Sequence, residues 1–279
     1  MKENELIFKV EKEDILSEIL KTKFSKRMYR YLKYSQAKVL VDGHPLEWYK
    51  RVSRDSIIQV FYETKEREIE WEFSQTIPDI LYESEHYLVV NKEPNLLTIP
   101  TKANPNSLYQ QLLAYLGNQS IHILNRLDKE TSGLVVVAKD RYAASLLEPT
   151  HQHIIRKYLC LVEGVVFEDG IIQTYIDKEE NSNKRYVSSA GKWAVSHYRV
   201  LKAFKDSTLL EFTLETGRTH QIRVHTRYIG HPIIGDHLYG GKDNEILCLT
   251  SYFVQFKDPF TNEDVQCGIK QRWKDYGRE

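Results

Sequence analysis

The residue best placed to do chemistry is Asp128, in the segment Asn125-Arg126-Leu127-Asp128-Lys129-Glu130-Thr131-Ser132-Gly133. This segment runs straight into the apolar stretch Leu134 to Ala138. Thr131-Ser132-Gly133 reads as a tight turn, with glycine free to take a positive φ. A turn tucked under a strand can fix one carboxylate rigidly. Arg126 and Lys129 flank Asp128 in sequence, and cations near a carboxylate keep it ionised, as a nucleophile or base requires. An ordinary loop ion pair fits the same residues.

A second polar cluster is Glu215-Thr216-Gly217-Arg218-Thr219-His220-Gln221-Ile222-Arg223-Val224-His225. As a strand it would place Gln221, Arg223 and His225 on one face. As a helix starting after Gly217 it would bring Arg218 near Gln221, and Gln221 toward His225. Both arrangements demand partners, and phosphates or a buried carboxylate suit the arginines. A solvated polar face is the plain alternative. Zinc is disfavoured: His220 and His225 are five residues apart, wrong for one helix face, and no thiolate accompanies them. His151 and His153 form a weaker pair still. Cys160, Cys248 and Cys267 are odd in number and lack CxxC spacing, so they read as reduced, mostly buried thiols.

Positioning these groups takes alternating short elements. Ile15, Leu16, Ile19 and Leu20 recur at helical spacing. Lys38 to Val41 reads as a strand ending in an Asp42-Gly43 turn, and Arg54 to Val60 as a closing strand. The charged run from Glu63 to Trp71 reads as a linker. Downstream, Tyr87 to Val90 and Gly133 to Ala138 are strands. Ser107 caps a helix over 108–116 that Gly117 stops, and Asp140 caps another over 141–148. Arg156 to Gly164, Trp193 to Leu201, Thr208 to Leu214 and Glu245 to Phe256 read as further strands. No regular βαβ succession appears, which predicts an α+β fold with a largely antiparallel sheet. The expected division is a small α+β module over 1–62, a linker over 63–76 and a larger domain over 77–279.

Charge constrains the partners. The 279 residues carry 39 Lys plus Arg and 39 Asp plus Glu, so the chain lacks the globally basic character of many nucleic-acid binders. Basic residues are nevertheless clustered. Lys21, Lys23, Lys26, Arg27, Arg30, Lys33 and Lys38 lie uninterrupted by acid, interleaved with Phe24, Tyr29, Tyr31 and Tyr34. A second run, Lys184, Arg185, Lys192, Arg199, Lys202 and Lys205, also contains no acid. Such runs are most often solvated faces. The longest apolar runs fall far short of the ~20 residues that span a bilayer, and no signal peptide is visible, so a cytoplasmic protein is expected.

Taken in order, several segments resemble the RluA-type family of RNA pseudouridine synthases. They are Tyr87 to Pro100 with Asn91-Lys92-Glu93-Pro94, Asn125 to Gly133, Arg156 to Gly164, Gly217 to His225, and Gly230 to Gly240. The match spans roughly residues 75–260. More weakly, the first sixty residues resemble the S4-like RNA-binding module often found ahead of this domain. The resemblance implies a pseudouridine synthase fold, a large mixed and mostly antiparallel sheet flanked by helices and loops. It makes Asp128 the catalytic aspartate and Arg223 the arginine that pairs with it. Tyr158 becomes the tyrosine packed on the target base, and Arg126 the arginine that enters the vacated base position. Arg218, His220 and Gln221, with Lys26, Arg27 and Arg30 of the first module, are then expected to contact RNA. Asn125 departs from the family, which usually carries histidine there, and Glu93 separates a lysine and proline that are usually adjacent.

The chemistry agrees with this reading. Uridine isomerisation breaks a C–N glycosidic bond and makes a C–C bond to the same ring, so neither cofactor nor metal is expected. One carboxylate suffices, attacking C1′ or taking a proton from C2′. A stacked target must be flipped out at a few kcal/mol, and stacking on an aromatic returns about 1–3 kcal/mol. Structured RNA, ribosomal or transfer, is the expected partner, and the protein is expected to be monomeric. Two other readings are a binding protein that has lost catalysis and a glycoside hydrolase. The second needs two carboxylates about 5–10 Å apart, for which Glu130 or Glu215 would have to join Asp128.

Overall fold

The computed structural model describes residues 2–24, 26–35, 37–64, 76–101, 104–117, 121–147, 154–271 and 273. Most of the expected linker, and His151 and His153, lie outside the described residues.

The first part of the chain folds as β1 (Lys2–Lys9), β2 (Asp14–Ile15), α1 (Leu16–Lys23), α2 (Lys26–Tyr34), β3 (Lys38–Val41), β4 (His44–Pro45), β5 (Arg51–Val52) and β6 (Ile57–Thr64). One sheet has the order β1-β6-β3-β4, and β2 pairs with β5. Asp42 and Gly43 turn β3 into β4 with φ of 50° and 81°, the conformation a two-residue hairpin turn requires. Leu16, Ile19 and Leu20 of α1 and Met28 and Leu32 of α2 are buried with Ile58 and Val60 of the sheet. Two expectations shift here. The closing strand starts at Ile57, not Arg54, because Asp55 turns the chain with φ 71°. Sequence reading also missed β1, whose Leu6 and Phe8 pack inward while Glu5, Ile7 and Lys9 face out.

The rest of the chain builds β7 (Asp79–Glu83), β8 (Tyr87–Lys92), α3 (Leu108–Tyr115), β9 (His122–Ile123), β10 (Ser132–Ala138), α4 (Arg141–Leu147) and β11 (Ile154–Glu163). There follow β12 (Gly170–Lys178), β13 (Arg185–Val187), β14 (Lys192–Ala203), β15 (Ser207–Leu214), α5 (Gln221–Tyr228), β16 (Leu249–Lys257) and β17 (Asp264–Gly268). They form one 11-stranded sheet of order β13-β12-β14-β15-β11-β16-β10-β8-β7, with β9 on β10 and β17 on β16. Every described pairing is antiparallel except β10 with β16. The fold is thus α+β with a mostly antiparallel sheet.

β8 and β10 are buried along their whole length, so their alternating side chains feed two cores. Leu88, Val90, Val135 and Val137 pack with Leu108 and Leu112 of α3 on one face. Tyr87, Val89, Val136 and Ala138 pack with Ala143, Ala144 and Leu147 of α4 on the other. Both helix starts are as expected. Ser107 Oγ accepts from the Gln110 N–H at 3.4 Å, and Asp140 Oδ1 from the Ala143 N–H at 2.7 Å.

Candidate active site

Asp128 sits in the loop between β9 and β10, and that loop is pinned at successive residues. The Leu124 N–H donates to the Val136 carbonyl at 2.9 Å. Asn125 extends the pairing through its side chain: Oδ1 accepts from the Val136 N–H at 2.7 Å and Nδ2 donates to the Leu134 carbonyl at 3.2 Å. Asn125 is therefore a buried strap on β10. Next, the Thr98 hydroxyl bonds both the N–H and the carbonyl of Leu127. Finally, Lys92 Nζ at the end of β8 donates to the carbonyls of Glu93, Leu96 and Lys129. With Asn125 and Leu127 held inward, Arg126 is left exposed.

The turn itself falls one step earlier than the sequence suggested. The Thr131 N–H reaches back to the Asp128 carbonyl at 3.2 Å, and Ser132 and Gly133 already belong to β10. Gly133 is required for a different reason. It has φ 114°, and a Cβ there would stand 2.2 Å from the Ser251 carbonyl oxygen, where β10 runs parallel to β16. Ser251 pairs on its other side with Tyr158 of β11. The strand order β11-β16-β10 thus brings a buried tyrosine beside the carboxylate loop. Burial pushes the Tyr158 phenol up, and the Asp128 charge adds to the shift.

The cations facing Asp128 are not its sequence neighbours. Arg126 and Lys129 make no ion pair with it among the described residues; Arg223 and His220 approach instead. Arg223 Nη1 lies 4.0 Å from Oδ2, and His220 Nε2 lies 4.0 Å from Oδ1. Both come from the start of α5, which settles the polar cluster as a helix with His220 at its N-cap, φ 57°. Arg223 approaches Asp128 with one edge only, and its firmer partners are other carboxylates. Its Nε and Nη2 fork onto the buried Asp236 at 2.8 Å each, and Nη1 also reaches Glu130 at 3.3 Å. Asp236 fixes the guanidinium and aims its remaining edge at Asp128. His220 Nδ1 lies 2.8 Å from the Tyr239 hydroxyl. That oxygen already accepts from the Arg185 N–H at 2.9 Å, so its own proton can go to Nδ1. The imidazole proton then rests on Nε2, facing Asp128.

The electrostatics also differ from the sequence expectation. Burial pushes the Asp128 carboxyl above its ordinary value, although His220 and Arg223 pull it down. Neither cation is within hydrogen-bonding distance, so their attraction does not repay the lost water. Burial pushes His220 down, keeping its imidazole neutral. Lys92, fully buried, is pushed down to about 7.

Of the expected RNA-contacting residues, Gln221 is not available. It is buried, with Nε2 on the Val195 carbonyl and Ser196 Oγ and Oε1 accepting from Thr216 and Arg218. His220 faces Asp128, not open surface. Arg218 is exposed, and its Nε holds the Trp193 carbonyl at 2.9 Å. Lys26 and Arg30 are exposed on α2; the Arg27 side chain lies outside the described part. His225 has no ring nitrogen to spare for a metal, being bonded to Ser196 and Thr174 at 2.8 and 3.0 Å. Sequence reading missed Asp236 and Tyr239 as site residues, and took Lys92 only as part of a motif. A buried aspartate between Gly235 and His237 offered no local signal, because its partner arrives from another element.

Known proteins can now be compared with this arrangement. Residues 86–228 match the family model described as RNA pseudouridylate synthase. An RNA pseudouridine synthase of Bacillus subtilis, YjbO, is 36% identical over 255 residues, covering 87% of this chain and 89% of its own length. Ribosomal large subunit pseudouridine synthase D of Xylella fastidiosa is 41% identical over 176 residues. That alignment covers 60% of this chain and 53% of the relative, so the chain aligns with only about half of that protein. Among solved structures, human RNA pseudouridylate synthase domain containing 1 superposes with a TM-score of 0.58 at 23% identity. That match covers 70% of this chain and 83% of the human one, and shares the fold. The chain belongs to the RNA pseudouridylate synthase family, a family of isomerases. No helix among the described residues is long and apolar enough to cross a membrane.

Proposed function

We propose that this chain converts particular uridines of structured RNA to pseudouridine, with Asp128 as the carboxylate that acts on the sugar. The observation that carries this reading is a half-buried carboxylate, Asp128, approached at 4.0 Å by an arginine locked on a second carboxylate and by a neutral histidine. One ionised carboxylate is what the isomerisation needs: the C1′–N1 bond breaks, the base turns, C1′ bonds to C5, the C5 proton is lost and N1 takes up a proton, so no atom is gained or lost overall. Tyr158 packs against the extruded base, and exposed Arg126 enters the gap it leaves. Arg223 holds the carboxylate's orientation from a fixed position. Ribosomal RNA is the favoured substrate, because relatives aligned over somewhat more than half of their length carry ribosomal large subunit names. Residues 1–62 serve as an S4-like RNA-binding module and 77–279 as the catalytic domain, acting as a cytoplasmic monomer. The separate sheet and core of the first part support that division.

The test is to map pseudouridines in total RNA from a strain lacking this protein, complemented with wild type or Asp128→Ala. One or a few sites should vanish and return only with wild type. No change in any site, or full restoration by the alanine variant, overturns the assignment.

A further inference from the structure

Helix α5 has a second working face. Arg223 and the N-cap His220 point to Asp128, while Val224, Arg227 and Tyr228, spaced i, i+3, i+4, line a separate cavity of about 420 Å³. Its opposite walls come from Lys184 and the strand it leads into, β13, with Arg185 and Tyr186, and from the segment 237–240. The volume falls in the roughly 300–1,000 Å³ range of small-ligand sites. None of its lining residues is acidic. His237 pairs outward with Asp243 at 3.2 Å, whereas Arg227 and Lys184 have no carboxylate partner among the described residues. Tyr186 and Tyr228 are 48% and 60% exposed, so both rings are open to a partner. Unpaired cations beside open aromatic faces are the two halves of nucleotide recognition, phosphate contact and base stacking.

The cavity is joined to the site by one side chain. Tyr239 lines it, yet the same ring packs under the Arg223 guanidinium at 5.2 Å and its hydroxyl holds His220. We propose that this cavity binds a second, unpaired nucleotide of the RNA substrate, close in the chain to the target uridine. Its base stacks on Tyr228 or Tyr186, and its phosphate is met by Arg227 and Lys184. Specificity for the sequence around the target then comes partly from this pocket. The inference rests on the reading of the Asp128 site as RNA-directed, and adds a site outside it.

The test measures binding alone. Fluorophore-labelled hexauridylate is titrated at low salt into the full-length protein, its Arg227→Glu, Arg227→Lys and Tyr228→Ala variants, with melting curves to verify folding. Ultraviolet cross-links are mapped by mass spectrometry. Arg227→Glu and Tyr228→Ala should each weaken binding about tenfold. Arg227→Lys should stay near wild type, and cross-links should fall on Tyr228 or Tyr186. Overturning results are no binding by wild type, unchanged binding by folded Arg227→Glu, cross-links confined to the Tyr158 side, or equal competition by inorganic phosphate, which marks a bare anion site. No turnover is read, so a failed complementation by the Asp128 test and a failed pocket here are separate outcomes.

Discussion

At the residue scale, the role proposed for Asp128 and the stability of the fold oppose each other. Its carboxyl binds a proton more tightly in the folded chain than in the unfolded one, because burial outweighs two cations that stand off at 4.0 Å. Ionised Asp128 therefore costs the fold stability at neutral pH, and the cost disappears below the unfolded value of about 3.9. Asp128→Asn should lower pseudouridine formation by roughly three orders of magnitude or more. The same variant should melt above wild type at pH 7, with the two curves meeting in acid. In wild type, activity should fall as pH drops through a value above the ordinary carboxylate range. Lys92 gives the opposite slope. Its folded value of about 7 lies below the unfolded ~10.4, so the folded chain holds fewer protons between those limits. Stability of wild type relative to Lys92→Met should rise from pH 7 to about 10, read as urea midpoints. At neutral pH the variant should be the weaker fold, having left three loop carbonyls without their donor.

At the scale of elements, the site is a junction of β10, β16, β11 and α5, and Gly133 is the tightest point in it. Gly133→Ala combines a φ of 114° with a Cβ driven onto the Ser251 carbonyl, and backbone cannot yield there as a flexible side chain would. The expected loss is about 2–4 kcal/mol in urea unfolding, with reduced activity because β16 carries the spacing to Tyr158. Local signals in the sequence marked some of these elements well. Ser107, Gly117 and Asp140 are capping residues whose chemistry acts within a few positions, and they sit where expected. β12 was missed because its outward positions, Ile171 and Tyr175, are apolar, which erases the alternation of a half-buried strand. β13 has three residues and no pattern to read. The Asp128 loop was legible, but the residues alone offered only its neighbours Arg126 and Lys129 as cations, and Arg223 came from the family resemblance, not from local chemistry. The true ones arrive from α5, about ninety residues later, through a helix that the residues alone left open between two conformations. Asp236 was illegible for the same reason: its role is defined by the fork of Arg223, a contact between elements.

Across the whole molecule, a zero net charge means that little long-range attraction draws RNA in, so affinity has to come from local clusters. The first part of the chain supplies one. On α2, Lys26, Arg30 and Lys33 are exposed at i, i+4 and i+7, opposite buried Met28 and Leu32. Its placement relative to the 11-stranded sheet is set by contacts of α2 and the end of α1 with α4. The Arg141 guanidinium lies 4.3 Å above the Tyr31 ring, and Phe24 packs on Tyr142 with ring centroids 5.9 Å apart. A basic face fixed in this way can act as a ruler, selecting RNA whose phosphates lie at a set offset from the target uridine. Phosphate contacts of this kind show in salt dependence, since each one releases counterions on binding. Reversing two of the charges, Lys26→Glu with Arg30→Glu, should weaken binding of ribosomal RNA and flatten the slope of log affinity against log salt by roughly 1.4–1.8. An unchanged slope would mean that this face is merely solvated, and that the cationic cavity behind α5 and the exposed Arg126 carry the electrostatic part of recognition without help from the first module.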